Sequence, residues 1–141
     1  MITTLKITLV RGRYCEDEWT ANIELDESSA LIELHEAIQG AIKFDNDHAF
    51  CFFVARTERS RHQEDFDDEN GMVFTKTIGE VFPLPSKQSL FYLFDWGDSW
   101  IFKVSAPRKR LKEPATGVSY PRVDSELGTK SVQYPPYDED E

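Results

Sequence analysis

Residues 31–54 read LIELHEAIQGAIKFDNDHAFCFFV, and the two halves of this stretch obey different periods. Leu31, Leu34, Ile38 and Ile42 recur at three- and four-residue intervals, which lines them along one stripe of a helix of about three to four turns. Ala49 to Val54 is instead apolar at consecutive positions, the pattern of a short strand covered on both faces and central in its sheet. Asp26-Glu27-Ser28-Ser29, just upstream, offers side chains able to cap the helix and acids suited to its positive end.

Working outward, Leu5, Ile7 and Leu9 alternate with polar neighbours, and Trp19, Ala21, Ile23 and Leu25 do so again. A period of two is that of a strand with one buried face. Gly12 and the acids of 16–18 lie between them, so the two strands are predicted to be antiparallel neighbours joined by a longer hairpin loop. Residues 56–71 are polar and read as a solvated loop, and Thr77 to Phe82 as a short helical turn before Pro83. Ser89 to Phe94 and Ser99 to Ser105 flank Asp95-Trp96-Gly97-Asp98, turn-forming residues between two β-rich runs, hence a second hairpin.

The order strand, strand, helix, strand, strand, strand predicts an α+β roll, a β-grasp-like mixed sheet packed on one main helix. Residues 1–106 form that roll; 107–141, with five prolines and an acidic end, form an extended, partly irregular segment of the same domain, apolar enough at Val118, Tyr120, Val123, Leu127, Tyr134 and Tyr137 to lie along it. At 141 residues there is little room for a second domain.

The formal charge of −10 opposes a nonspecific grip on nucleic acid or an anionic membrane. No apolar run approaches the roughly 20 residues needed to cross a bilayer, and the N-terminus lacks the pattern of a signal peptide, so a cytoplasmic protein is expected. Cys15 and Cys51 have neither CxxC nor Cys/His ligand spacing and read as ordinary thiols.

Several polar residues are candidates for chemistry. Asp45-Asn46-Asp47-His48 holds three oxygen donors and an imidazole in four positions, able to bind a divalent metal or set a general base, or simply to make a connecting turn through side-chain-to-backbone hydrogen bonds. His35 lies on or beside the apolar stripe of the helix, either as a buried histidine with one partner or converging with Asp47 and His48 on a pocket. Asp95 and Asp98 bracket the hairpin turn as its ends or as an acid/base or metal-binding pair. Trp96 and Trp100 either build a partner or ligand surface there or fold inward over the sheet. Arg108, Lys109, Arg110 and Lys112 make the one basic patch, with nucleic acid or the chain's own acidic segments as its partner.

Three stretches carry a resemblance: Leu34-His35-Glu36-Ala37-Ile38-Gln39, Phe44-Asp45-Asn46-Asp47-His48-Ala49-Phe50, and Leu93-Phe94-Asp95-Trp96-Gly97-Asp98-Ser99-Trp100, with Tyr120-Pro121-Arg122-Val123 and Gln133-Tyr134-Pro135 behind them. Over roughly residues 3 to 137 the chain resembles the plasmid pRiA4b ORF-3-like proteins, also called passenger proteins of insertion elements. The resemblance implies a roll-like α+β domain found on plasmids, mobile elements and bacterial chromosomes, and it implies no established reaction or ligand. Lys43-Phe44 stands where the family has an aromatic residue, often Trp, before Asp, and Trp96 where it has Phe before Gly. No serine-recombinase arrangement accompanies the resolvase-like name sometimes given to the family, and that activity is not carried over.

Without a recognisable catalytic constellation, the sequence is expected to encode a noncatalytic binding or accessory module, with Trp96, Asp98, Trp100, Asp47, His48 and His35 as ligand- or partner-binding candidates for a protein or small molecule. The alternative is a small metal-dependent hydrolase or nuclease using Asp45, Asp47, His48, Asp95 and Asp98, with a divalent metal as its cofactor.

Overall fold

The computed structural model describes residues 1–61, 63–107 and 111–135. The predicted first hairpin forms: β1 (Ile2–Arg11) pairs antiparallel with β2 (Trp19–Asp26), in a register that sets Leu5 opposite Ile23 and Ile7 opposite Ala21. The helix α1 spans Leu31–Ile42 and buries Leu31, Leu34, His35, Ile38, Gln39, Ala41 and Ile42. Its first turn is not capped by the acids and serines before it. Asp26 Oδ1 instead accepts the N–H of Ser28 at 2.9 Å; the Leu31 N–H finds the carbonyl of Lys76, and Glu33 reaches back to the N–H of Ala30 at 3.0 Å.

β3 (Phe50–Ala55) follows with both faces covered, as its unbroken apolar run predicts. The polar stretch behind it is not all loop. Glu64–Phe66 forms a short edge strand, β4, because Phe66 turns into the core while its acidic neighbours stay exposed. Two single-turn helices, α2 (Met72–Thr75) and α3 (Ile78–Val81), add Val73, Ile78 and Val81 to the core. The second predicted hairpin then forms between β5 (Ser89–Phe94) and β6 (Trp100–Ser105).

Beyond Pro107 the sequence predicts no strand, yet β7 (Arg122–Gly128) pairs antiparallel with β2. Period alone could not announce it, since every residue of β7 is exposed. Side chains of β2 hold it instead. Buried Glu24 accepts from the guanidinium of Arg122 (2.6 Å) and from the ammonium of Lys112, which hold its carboxyl below the usual range, and the indole N–H of Trp19 donates to Glu126 at 2.7 Å. Lys112 is thereby committed to Glu24 rather than to an acidic loop, while Arg108, Lys109 and Arg110 lie outside the described residues.

The strands form one seven-stranded sheet in the order β4-β3-β5-β6-β1-β2-β7. The α+β class stands, but the sheet is antiparallel at every pairing rather than mixed. A mixed sheet needs a crossover returning a strand parallel to its neighbour, and here the hairpins and the helix-containing connection all bring antiparallel partners together. The helical layer covers one face, where Leu5, Ile7, Trp19, Leu25, Tyr92 and Phe102 meet Leu34, Ile38 and Ile42. A smaller apolar cluster, including Cys51, Phe53 and Phe91, lies elsewhere; burial pushes the Cys51 thiol up to about 12, so it is inert as a nucleophile.

Gly12 follows β1 because nothing larger fits: a Cβ there would run into the indole ring of Trp100. Gly12→Ala is expected to lower stability by about 1–3 kcal/mol through overpacking, read as a fall in the urea midpoint with an unchanged slope.

Candidate functional site

At one end of the sheet three connections meet. The turn after α1 starts with Phe44, whose ring packs edge-on against Trp100 at 4.8 Å and near Phe94 and Phe102. That wedge fixes where the next four residues emerge. The Lys43 backbone is left-handed (φ 67°), ending the helix, and Asn46 is left-handed again (φ 53°), so the chain doubles back within a few residues. Asp47 and His48 point outward, each with a side chain 41% exposed.

The β5–β6 turn supplies the second piece. Asp95 is left-handed (φ 63°) and 7% exposed; its Oδ1 accepts the N–H groups of Gly97 (3.0 Å) and Asp98 (3.3 Å), closing the turn. Its Oδ2 faces His48 Nε2 at 3.4 Å. Asp98 turns the other way, toward Arg13 (3.6 Å), whose backbone N–H also donates to the Asp98 carbonyl. The segment after β7 supplies the third piece. Buried Gln133 accepts the N–H of Asp45 (2.6 Å) and donates to Asp47 Oδ1 (2.9 Å). The Tyr134 hydroxyl donates to Asp47 Oδ2 at 2.7 Å and lies 2.7 Å from His48 Nε2.

These distances fix the proton order. The Tyr134 hydroxyl donates its hydrogen bond to Asp47, so its oxygen accepts from His48 through a ring N–H on Nε2. The bond to Asp47 pushes the Tyr134 phenol up to about 12, and the same bond, with that of Gln133, holds the Asp47 carboxyl below its usual range. The result is a fixed polar rim, acidic overall, with an imidazole and a phenol at its surface and the 55% exposed ring of Trp96 following Asp95 in the chain. Carboxylates beside aromatic faces favour cationic groups.

The sequence candidates divide. Asp47, His48 and Asp95 come together, with Asp45 held alongside by its backbone. Trp100 does not join the surface: it is fully buried, because its ring completes the aromatic packing around Phe44, and only Trp96 of the pair is exposed. His35 does not converge with His48. It is buried, stacked on Phe50 at 3.6 Å, with Nδ1 2.5 Å from the Tyr92 hydroxyl. Gln39 donates to that hydroxyl at 2.9 Å, so Tyr92 donates onward to a neutral His35. Among the described residues no group of three or more His, Cys, Asp or Glu side chains is arranged to hold a metal ion. Gln133 and Tyr134 were not among the candidate site residues: their segment is remote in sequence, and only the resemblance carried by Gln133-Tyr134-Pro135 and the apolar ring of Tyr134 tied it to the domain.

Residues 2–129 match the model of a family described as plasmid pRiA4b ORF-3-like protein. No curated protein matches the chain. The fold is similar to the crystal structure of a protein of unknown function from Methanosarcina mazei Go1, with a TM-score of 0.69 and 20% identity over 89% of this chain and 68% of that one.

Burial holds the His35 imidazole at about 4, below its ordinary 6.5. Between those values the unfolded chain takes up a proton that the folded chain refuses, so this contribution is complete above pH 6.5 and is lost as pH falls toward 4. The loss is on the order of 3 kcal/mol. Urea midpoints measured across that range are expected to fall more steeply in the wild type than in His35→Gln, which has no ring to protonate.

Proposed function

The chain belongs to the plasmid pRiA4b ORF-3-like family, and from that premise we propose that it is a noncatalytic binding or accessory module, serving mobile elements or bacterial chromosomes from the cytoplasm. Its partner-facing surface is the rim formed by Asp47, His48, Asp95 and Tyr134 beside Trp96, and its partner is a protein presenting cationic groups. The observation that carries this reading is convergence: side chains of residues 47, 48 and 134 meet in a hydrogen-bonded cluster that is open to solvent, with the buried carboxylate of Asp95 3.4 Å behind His48. An exposed tryptophan adjoining a fixed polar rim is the composition of a binding hot spot, where a large ring supplies contact area and the polar groups supply orientation.

The metal-dependent hydrolase or nuclease reading meets competition at its own ligands. His48 Nε2 is taken by Tyr134 and Asp95, Asp47 by Tyr134 and Gln133, and Asp98 faces Arg13. A metal would have to displace those bonds before using the residues.

Trp96→Ala and His48→Ala change exposed side chains and are expected to leave the melting temperature within a few degrees of wild type. Each is expected to abolish capture of a partner from extracts of the protein's own cells, scored by quantitative mass spectrometry against the wild type; capture unchanged in both would remove the rim as the binding surface. Trp100→Ala, by contrast, should cost about 3–5 kcal/mol as a core truncation. Calorimetric titration with Mg²⁺, Mn²⁺ and Zn²⁺ is expected to give no saturable heat. Stoichiometric binding that weakens in Asp47→Ala would install the metal-dependent reading instead.

A further inference from the structure

A sheet of seven strands is roughly 29 Å wide at the usual strand spacing, about three times the diameter of one helix. The helical layer on its core face is incomplete. α2 lies against β4 and α1, α1 reaches Tyr92 of β5 on one side and packs on β2 on the other, and beyond it toward β7 the layer stops among the described residues. There the surface opens into a groove of about 380 Å³ between α1 and the start of β7. Its floor is Ile23. Ala37, Gly40 and Glu36 form the helix wall, and Pro121 and Val123 the strand wall.

We infer that this groove docks an amphipathic helix of a partner protein, one carrying Lys or Arg beside its apolar face. Three observations agree on that occupant. The space lies in the plane of α1, where a second helix of the same layer would sit. The helix wall is built of small residues: the position of a Cβ on Gly40 has no neighbour within 4 Å, so a partner backbone can come close. The charge on the helix wall is acidic, from Glu33 and Glu36, while Arg122 across the groove is neutralised by Glu24 and Asp124. A second copy docking α1 against α1 would set these glutamates against their equivalents, which disfavours self-association here. The groove is separate from the Asp47–Tyr134 rim and shares no residue with it.

The test uses the full chain and two labelled peptides of about 16 residues, long enough for helix formation on binding. One has leucines on one face flanked by lysines; the other replaces each lysine with glutamate. Fluorescence anisotropy is expected to show the lysine peptide binding and the glutamate peptide at least roughly tenfold weaker. Gly40→Leu fills the groove without altering charge and should weaken the lysine peptide roughly tenfold while circular dichroism shows the helix as stable as before or more so. Glu36→Lys, a surface change, should weaken it by about fivefold at low salt and less at high salt. Binding unaffected by Gly40→Leu would reveal mere attraction to an acidic protein and overturn the inference. So would equal binding of the two peptides, binding of neither, or a dimer in sedimentation that Gly40→Leu dissolves, which would give the groove to a second copy.

Discussion

The contact between Phe44 and Trp100 is the one on which the arrangement of this molecule turns. Phe44 is the second residue past the end of α1, and Trp100 opens β6; they are 56 positions apart and meet ring edge to ring face at 4.8 Å. Trp100 can be there only because Gly12 leaves its ring room. Three loops, from the first hairpin, the helix end and the second hairpin, are thus keyed to one aromatic cluster. Loops so anchored emerge at fixed places, and that is why Asp47 and His48 arrive opposite Asp95.

The histidines at 35 and 48 show how environment assigns different roles to one side chain. Both are held by a tyrosine hydroxyl, Tyr92 for His35 and Tyr134 for His48. His35 accepts a hydrogen bond from a tyrosine buried among aromatic rings, and burial keeps the imidazole neutral and makes it part of the core's specification. His48 donates to a tyrosine whose hydroxyl in turn donates a hydrogen bond to a carboxylate at the surface. The first arrangement gives rigidity, the second a polar surface that another molecule can read.

The elements with a clean period were legible from residues alone. Leu5, Ile7 and Leu9 against their polar neighbours gave β1, the Leu31 to Ile42 spacing gave α1, and Asp95 to Asp98 gave the second hairpin. β4 and β7 were not, since a three-residue strand is too short for periodicity and a strand exposed at every position has none to show. The antiparallel pairing throughout was likewise hidden, because strand order depends on contacts as remote as Leu9 with Phe102. In the candidate site, Asp47, His48 and Asp95 stood out as polar residues at turns. Trp100 misled because a tryptophan beside a turn has the same sequence whether it faces in or out, and only the cavity left by Gly12 and Phe44 decides.

The place of the first hairpin in the strand order has a consequence for biosynthesis. β1 and β2 leave the ribosome ahead of the other strands, yet their outer neighbours are β6 and β7, almost a hundred residues later. Until those segments emerge, α1 is at hand to cover Leu5, Ile7 and Trp19, but both edges of the hairpin stay open. The sheet is therefore completed only when β7, pinned through Glu24 and Trp19, has been made. A message cut short before residue 122 would yield a product whose first hairpin still offers a free edge to any neighbouring chain, so faithful completion of translation is itself a protection against aggregation for this protein.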